Sequence, residues 1–283
     1  FQTVSGKTSR PSVIELSTWR WPIFVTLLLA WGILFVLPIV ALLISAFSEI
    51  QGIFSWSNFT FLNFYRVLFE VDETGRALAN SLTLGITAAT IATFFGAFIA
   101  YIQWKTKIPG RKWLDIIASF PYSTPGTVVA LALILAFSKT FFGLGSLYNT
   151  LWILILAYTI KYLSFSIKTT SDGYQQIDDC LAEAARVSGA NWWVTIQTIW
   201  FPLLKPSLTA AWFLVFMPVF SELTMTVLLA GPGTETLGTL LFQLQDYADA
   251  SGGSSAVLAI LIVLSVVIAN GVIKKISNGK YGL

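Results

Sequence analysis

The chain has 283 residues, of which 55% are hydrophobic, 15% aromatic and 11% charged, with a formal net charge of +3 and a mean hydropathy of +0.75. That is about half the charge of a soluble domain, and several stretches with little or no charge reach the ~20 residues a helix needs to cross a ~30 Å hydrocarbon core, which excludes a soluble globular protein. There is no histidine, and Cys180 is the single cysteine. An internal disulfide, the commonest transition-metal ligand and the usual general base are therefore absent, and neither a catalytic nor a metal-ligating residue is expected.

The expected fold class is all-α: a polytopic membrane protein of about six transmembrane helices forming one domain over 21–273, with an N-terminal segment 1–20 and a tail 274–283. Span 1 is expected over 21–47, between Arg20 and Glu49, with Pro38 as a candidate kink. A polar connection containing Glu70, Asp72 and Glu73 leads to Asn80-Ser81, read as an N-cap opening span 2 over 81–104. A basic loop of Lys105, Lys107, Arg111 and Lys112 precedes span 3 over 114–138, which is interrupted at Pro121-Tyr122-Ser123-Thr124-Pro125-Gly126. Span 4 covers 147–167 and carries Lys161 near its inner end, where the side chain is expected to snorkel. A polar hairpin over 174–202 follows. Span 5 is expected over 206–229 with Glu222 inside it, and span 6 over 256–273 after a Gly- and Thr-containing connection. No internal repeat of 20 to 50 residues is visible.

Counting Lys and Arg orients the chain, because positive residues are retained in the cytoplasm. With the N-terminus inside, 14 of the 17 basic residues fall on or near the inner side, against Arg66, Arg76 and Lys139 outside. Both termini and the 174–202 hairpin are then expected to be cytoplasmic.

Within that hairpin, Ile177, Leu181, Ala184, Ala185 and Ser188 share one helical face, and Asp178, Asp179, Glu183 and Arg186 occupy the rest. Gly189 suits the left-handed residue that closes a helix, Asn191 suits the cap of the next, and Pro202 is expected to stop it. By physics alone this describes an amphipathic hairpin on the inner leaflet as well as it describes a docking element. The spacing separates the two: Glu183-Ala184-Ala185, three residues, Gly189, nine residues, Ile199, one residue, then Phe201-Pro202. It resembles the EAA motif of the membrane subunits of ATP-binding-cassette importers, EAA-x3-G-x9-I-x-L-P, with Phe201 in place of Leu. At ordinary residue frequencies such a match arises by chance on the order of once per million starting points.

The resemblance implies a type I importer fold in the bacterial cytoplasmic membrane. Glu183, Ala184, Ala185, Gly189, Ile199 and Pro202 would form a coupling element seated in an ATPase subunit. The implied partners are two copies of that ATPase, an extracytoplasmic solute-binding protein and a second permease domain, with no nucleic acid. No G-x-x-x-x-G-K-[ST] loop is present, so the chain is not expected to be an enzyme and holds no cofactor; ATP and Mg would be bound by the partner ATPase. Phe1 to Trp21, Ser221-Glu222-Leu223 and Gly231 to Leu237 further resemble ferric iron import permeases, in which two permease domains are often fused. This implies iron transport and a chain that is the C-terminal half of such a fusion; polyamine, thiamine, phosphonate and sugar permeases share the same fold.

Two polar places interrupt the apolar spans. Glu222 costs about 2.5–3.5 kcal/mol at a bilayer centre and so should face the bundle interior or water. It reads as a gate residue, with Ser221 and Thr224 beside it, as a hydrogen-bond acceptor holding two helices together, or as a residue already in the outer interface. Tyr122, Ser123 and Thr124 read either as a cavity-lining break or as a kink whose hydroxyls bond back to their own helix. An ion-coupled secondary transporter is the alternative function class; it needs midplane carboxylates and often an inverted repeat, and Glu222 alone is a poor set for that role.

Overall fold

A computed structural model of the chain describes residues 16–139, 146–245 and 253–276. Most of the expected N-terminal segment 1–20 and of the tail 274–283 lies outside these described residues. Among the described residues the regular elements are helices, joined by turns and irregular segments, and the one extended pairing is an isolated bridge between Ser48 and Phe59. Five helices are long and apolar enough to span a membrane, and a bent pair makes a sixth.

Helix α1 (Ser17–Phe47) is apolar on every side and almost wholly exposed, as suits a helix facing lipid. The helix runs on through Pro38, the candidate kink, with a π-turn over Gly32–Val36 immediately upstream. Proline 38 cannot donate to the carbonyl four residues back, Leu34, and the wider turn re-pairs the carbonyls around it.

Helix α2 (Glu73–Lys105) starts two turns earlier than its expected cap. Asn80 and Ser81 lie inside it, and Asp72 holds the N-cap position. Helices α3 (Arg111–Ser123) and α4 (Gly126–Phe137) are the two halves of the interrupted span, bent by 108°. Helix α5 (Leu151–Gln175) extends eight residues past the expected end of span 4, which moves Lys161 from the inner end to near mid-helix.

Helix α6 (Asp179–Val187) belongs to the hairpin, and α7 (Trp192–Phe220) runs from the hairpin into the membrane. Pro202 does not stop α7, contrary to expectation. A π-turn over Ile196–Trp200 sits just before it, the same arrangement that accommodates Pro38. Span 5 as expected is instead broken: α7 ends at Phe220, and Glu222 lies in an irregular turn before the short α8 (Thr226–Leu229). Helix α9 (Leu237–Gln243) and the last span, α10 (Gly253–Ile276), complete the described fold.

The core follows from small residues that let α2, α5 and α7 approach. Ala88, Ala89 and Ala92 of α2 pack on Ile153, Leu154 and Tyr158 of α5 and Val215 of α7. At Gly96 a Cβ would come within 3.0 Å of the Ile167 backbone nitrogen, so only glycine permits this α2–α5 approach. A second cluster joins α1, α9 and α10 through Ala46, Leu240 and Val257. A third, made of Ala100, Tyr174, Ile177, Ala182, Trp200 and Leu204, seats the hairpin under α2, α5 and α7.

Candidate functional site

The hairpin is shaped by its own termini. The Asp178 carboxylate accepts from the Cys180 amide at 2.9 Å and so caps α6; this bond and one from the Cys180 thiol hold the Asp178 carboxyl below the usual carboxylate range. The other end closes as a Schellman motif: Ala190 donates to Ala185 at 2.9 Å and Gly189 to Arg186 at 3.0 Å, with Gly189 at φ +84°. Asn191 then caps α7 by accepting from the Val194 amide at 2.9 Å.

The face turned outward differs from the one predicted as a single apolar surface. Ala182 and Ile177 pack inward and Ala185 is half-buried, whereas Leu181 is 46% and Val187 89% exposed, with Glu183, Ala184 and Gly189 also exposed. The wheel could assign residues to a face but not say which face the bundle takes. Ile199 is half-buried and Pro202 exposed on α7. What fixes the hairpin is Lys105, read from the sequence only as a loop charge. Its ammonium donates to the Ile177 carbonyl at 2.9 Å and to Asp179 at 2.6 Å, and lies 4.8 Å from the centre of the Trp200 ring. The Trp192 indole donates to the Tyr101 hydroxyl at 2.9 Å beside it. A cavity of about 750 Å³ between the 105–111 loop and the hairpin is lined by Lys105, Lys107, Arg111, Glu183 and Arg186, among others.

At the far end of α2, Asn80 and Ser81 act as a clamp. Asn80 donates to the carbonyls of Gly233 and Glu235, at 3.1 and 2.8 Å, and Ser81 accepts from the Leu237 amide at 2.9 Å. Arg76 pairs with Glu235 at 2.9 Å. Partial burial opposes ionisation of Glu235, but the Gly233 amide and the Arg76 guanidinium outweigh it and hold the carboxyl below its ordinary value.

Between these ends the two breaks meet. Pro125 disfavours helix at the residue before it, and Thr124 is extended at ψ 138°. The last carbonyls of α3 are thereby orphaned, and Lys161 supplies their donor: its ammonium bonds to the carbonyls of Pro121 at 3.2 Å and Tyr122 at 3.1 Å, and to that of Thr124. Lys161 therefore does not snorkel to a headgroup. A cation here also complements the negative end of the α3 dipole.

The second break has the opposite charge. The Glu222 carboxylate folds forward onto its own chain and accepts from the amides of Met225 and Thr226, at 3.0 and 3.1 Å, and from the hydroxyls of Thr224 and Thr226, both at 2.8 Å. It thus satisfies donors at the start of α8, where an anion is favoured. Every one of these bonds stays within residues 222–226, so the carboxylate holds its own turn rather than tying two helices together. Thr226 also bonds to the buried Tyr158 hydroxyl of α5, and Tyr158 and Lys161 share one face at i, i+3. A Cβ at Gly126 would meet Thr224 and Met225 at 3.3 Å, so the breaks are in contact. Tyr122, Ser123, Ser221 and Thr224 are exposed around them, and Thr124 is half-buried with its hydroxyl bonded back to Phe120 at 3.0 Å.

Residues 92–278 match the family described as "Binding-protein-dependent transport system inner membrane component". Among relatives, the chain is 28% identical over 231 residues to PhnV of Salmonella paratyphi A, a permease protein named for a 2-aminoethylphosphonate transport system, covering 82% of this chain and 85% of that one. It is 26% identical over 231 residues, with the same coverage, to the spermidine/putrescine transport system permease protein PotC of Escherichia coli. The fold matches a chain of a bacterial alginate ABC transporter solved with an alginate pentasaccharide-bound periplasmic protein, with a TM-score of 0.70, 19% identity, and coverage of 94% of this chain and 99% of that one.

Proposed function

As this chain belongs to the inner membrane components of binding-protein-dependent transport systems, we propose that it lines the solute pathway of an ATP-driven importer and is worked by a separate ATPase docked on the 183–202 hairpin. The observation that carries the reading is the hairpin itself. It is capped at both ends, pinned to α2 by Lys105, and leaves Leu181, Glu183, Ala184 and Val187 uncovered. The same orientation by positive charge puts the hairpin and both termini in the cytoplasm.

The mechanics follow from rigid helices. The hairpin is continuous with α5 and α7. Lys161 stands 14 residues, about 21 Å, up α5 from Gln175, and α7 runs about 44 Å from Trp192 to Phe220 at ~1.5 Å per residue. Helix α5 carries the lysine that holds the α3–α4 break, and α7 ends at the other break. A displacement of the hairpin by ATPase closure is thereby delivered to Lys161 and to the Glu222 turn together. In this reading Tyr122, Ser123, Ser221 and Thr224 line the pathway, and Glu222 shapes the turn that presents them. ATP and Mg sit on two partner ATPase subunits, a solute-binding protein delivers the solute, and a second permease domain completes the pathway.

For the solute, the names of the two relatives point to small organic molecules carrying a primary ammonium, the group that aminoethylphosphonate and polyamines share. Neither relative supports the expected ferric iron or the expected fusion to a preceding permease half. The test is uptake into proteoliposomes containing the full transporter with its ATPase and binding protein. Uptake should require ATP, be competed by 2-aminoethylphosphonate or putrescine, and be lost in Glu183→Arg with thermal stability unchanged. Undiminished uptake by Glu183→Arg would refute the docking assignment, and gradient-driven uptake without ATP would refute the transport class.

A further inference from the structure

Lys161 solves a local problem in an unusual way. Three backbone carbonyls, of Pro121, Tyr122 and Thr124, converge on one ammonium, which has three donors to offer. The face of Tyr122, with the ammonium 5.8 Å from the ring centre, adds a fourth cation-favouring surface. Acceptors at this spacing match a primary ammonium: a guanidinium presents its donors in a flat fork, and a quaternary ammonium has none. The cage is also open. Tyr122 is 44% exposed and Ser123 is exposed, and these are the residues that the proposed function puts along the pathway.

We propose that the carbonyls of Pro121, Tyr122 and Thr124, with the Tyr122 ring, form a primary-ammonium site that Lys161 fills from within, and that the ammonium of the solute displaces it during passage. The displacement step rests on the amine reading of the solute; the site itself does not. Lys161 is not stranded when it leaves. Glu222 sits on the neighbouring break, which touches this one where Gly126 meets Thr224 and Met225, and Tyr158, bonded through Thr226 to the same carboxylate, lies one turn away on α5. Exchange between carbonyls and carboxylate keeps the ammonium paired, as a buried charge requires. The incoming ammonium in turn satisfies carbonyls that would otherwise be orphaned at mid-membrane, which lowers the barrier to the exchange.

Two measurements test this. In nanodiscs, the Lys161→Ala transporter should unfold at a lower temperature than wild type. Methylammonium and ethylammonium should restore the midpoint saturably, and tetramethylammonium or sodium at equal ionic strength should not; the wild type, whose site is filled, should not respond. No restoration by methylammonium, or equal restoration by tetramethylammonium, overturns the site. In the wild type, which needs no altered fold, acylation of Lys161 by a small amine-reactive reagent, followed by mass spectrometry, should accelerate when the loaded binding protein and putrescine or 2-aminoethylphosphonate are present. An unchanged rate with a solute that is transported overturns the displacement. Should Lys161→Ala not assemble, the wild-type labelling decides. Restoration by methylammonium alongside absent uptake of either amine would instead retain the site and overturn the reading of the solute.

Discussion

Replacing Lys105 with alanine should release the hairpin from α2, and the size of the effect follows from its three contacts. The bond to Asp179 is short, but that carboxylate is 71% exposed, so solvent screening limits the pair to about 0–1 kcal/mol. The bond from a charged donor to the Ile177 carbonyl is worth about 1.5–3 kcal/mol, because the Lys105 side chain is only 9% exposed. The stack on Trp200 adds about 0.5–1 kcal/mol. These contributions are not additive, and a net loss of about 2 kcal/mol raises local opening about 30-fold. Amide exchange across 179–188 in nanodiscs reads this directly, and a spin label on the exposed native Cys180 reports the same motion without a new cysteine. The control is Asp179→Asn, which removes only the screened pair and should change opening by about fivefold or less. Unchanged exchange in Lys105→Ala, or an Asp179→Asn effect as large, would show that the hairpin is held by its apolar seat on Ala182 and Leu204 instead.

Three further outcomes are expected. Glu222→Ala strips the acceptor from two buried amides and should cost about 2–4 kcal/mol. Glu222→Gln keeps one acceptor oxygen and should lose less in a thermal unfolding series; equal losses would make the charge, not the acceptor, the stabilising feature. Gly238→Ala drives a Cβ to 2.6 Å from the Glu222 carbonyl oxygen, and since that atom is backbone the overpacking should cost about 1–3 kcal/mol, read as a lowered unfolding midpoint; an unchanged midpoint would mean the Glu222 turn yields. The Arg76–Glu235 clamp should titrate in a stated window. Because the folded carboxyl titrates below its ordinary value, its stabilisation is complete above the unfolded glutamate range near pH ~4.3 and is lost as pH falls through the folded value. The stability difference between wild type and Glu235→Gln, at most ~1 kcal/mol for a partly exposed pair, should stay flat from neutral pH to about 5. A decline already between pH 8 and 6 would point to a different group.

The features legible from sequence were those whose cause is local. Uncharged runs predict spans because the requirement is length in hydrocarbon, and the hairpin's closure at Gly189 and cap at Asn191 follow from backbone conformation and a side chain reaching two or three residues. The break at Pro125 was likewise visible, because the residue before proline leaves the helix. Proline 202 misled because the widened turn that absorbs it has no residue signature of its own. Asn80 and Ser81 misled because a capping residue type inside a helix can serve a loop 153 to 156 residues away instead.

Partners of the polar groups in the membrane were the part that only the tertiary structure decided. Lys161 reaches carbonyls 37 to 40 residues back, Tyr158 reaches Thr226 across 68, and Lys105 reaches Asp179 across 74. A buried or half-buried charge in lipid must find acceptors or donors somewhere. The amino-acid sequence states that need at Lys161 and Glu222. Which broken helix end meets it depends on small-residue contacts such as Gly96, which brings α2 to α5, and Gly126, which brings α4 to the Glu222 turn and sets the two breaks side by side.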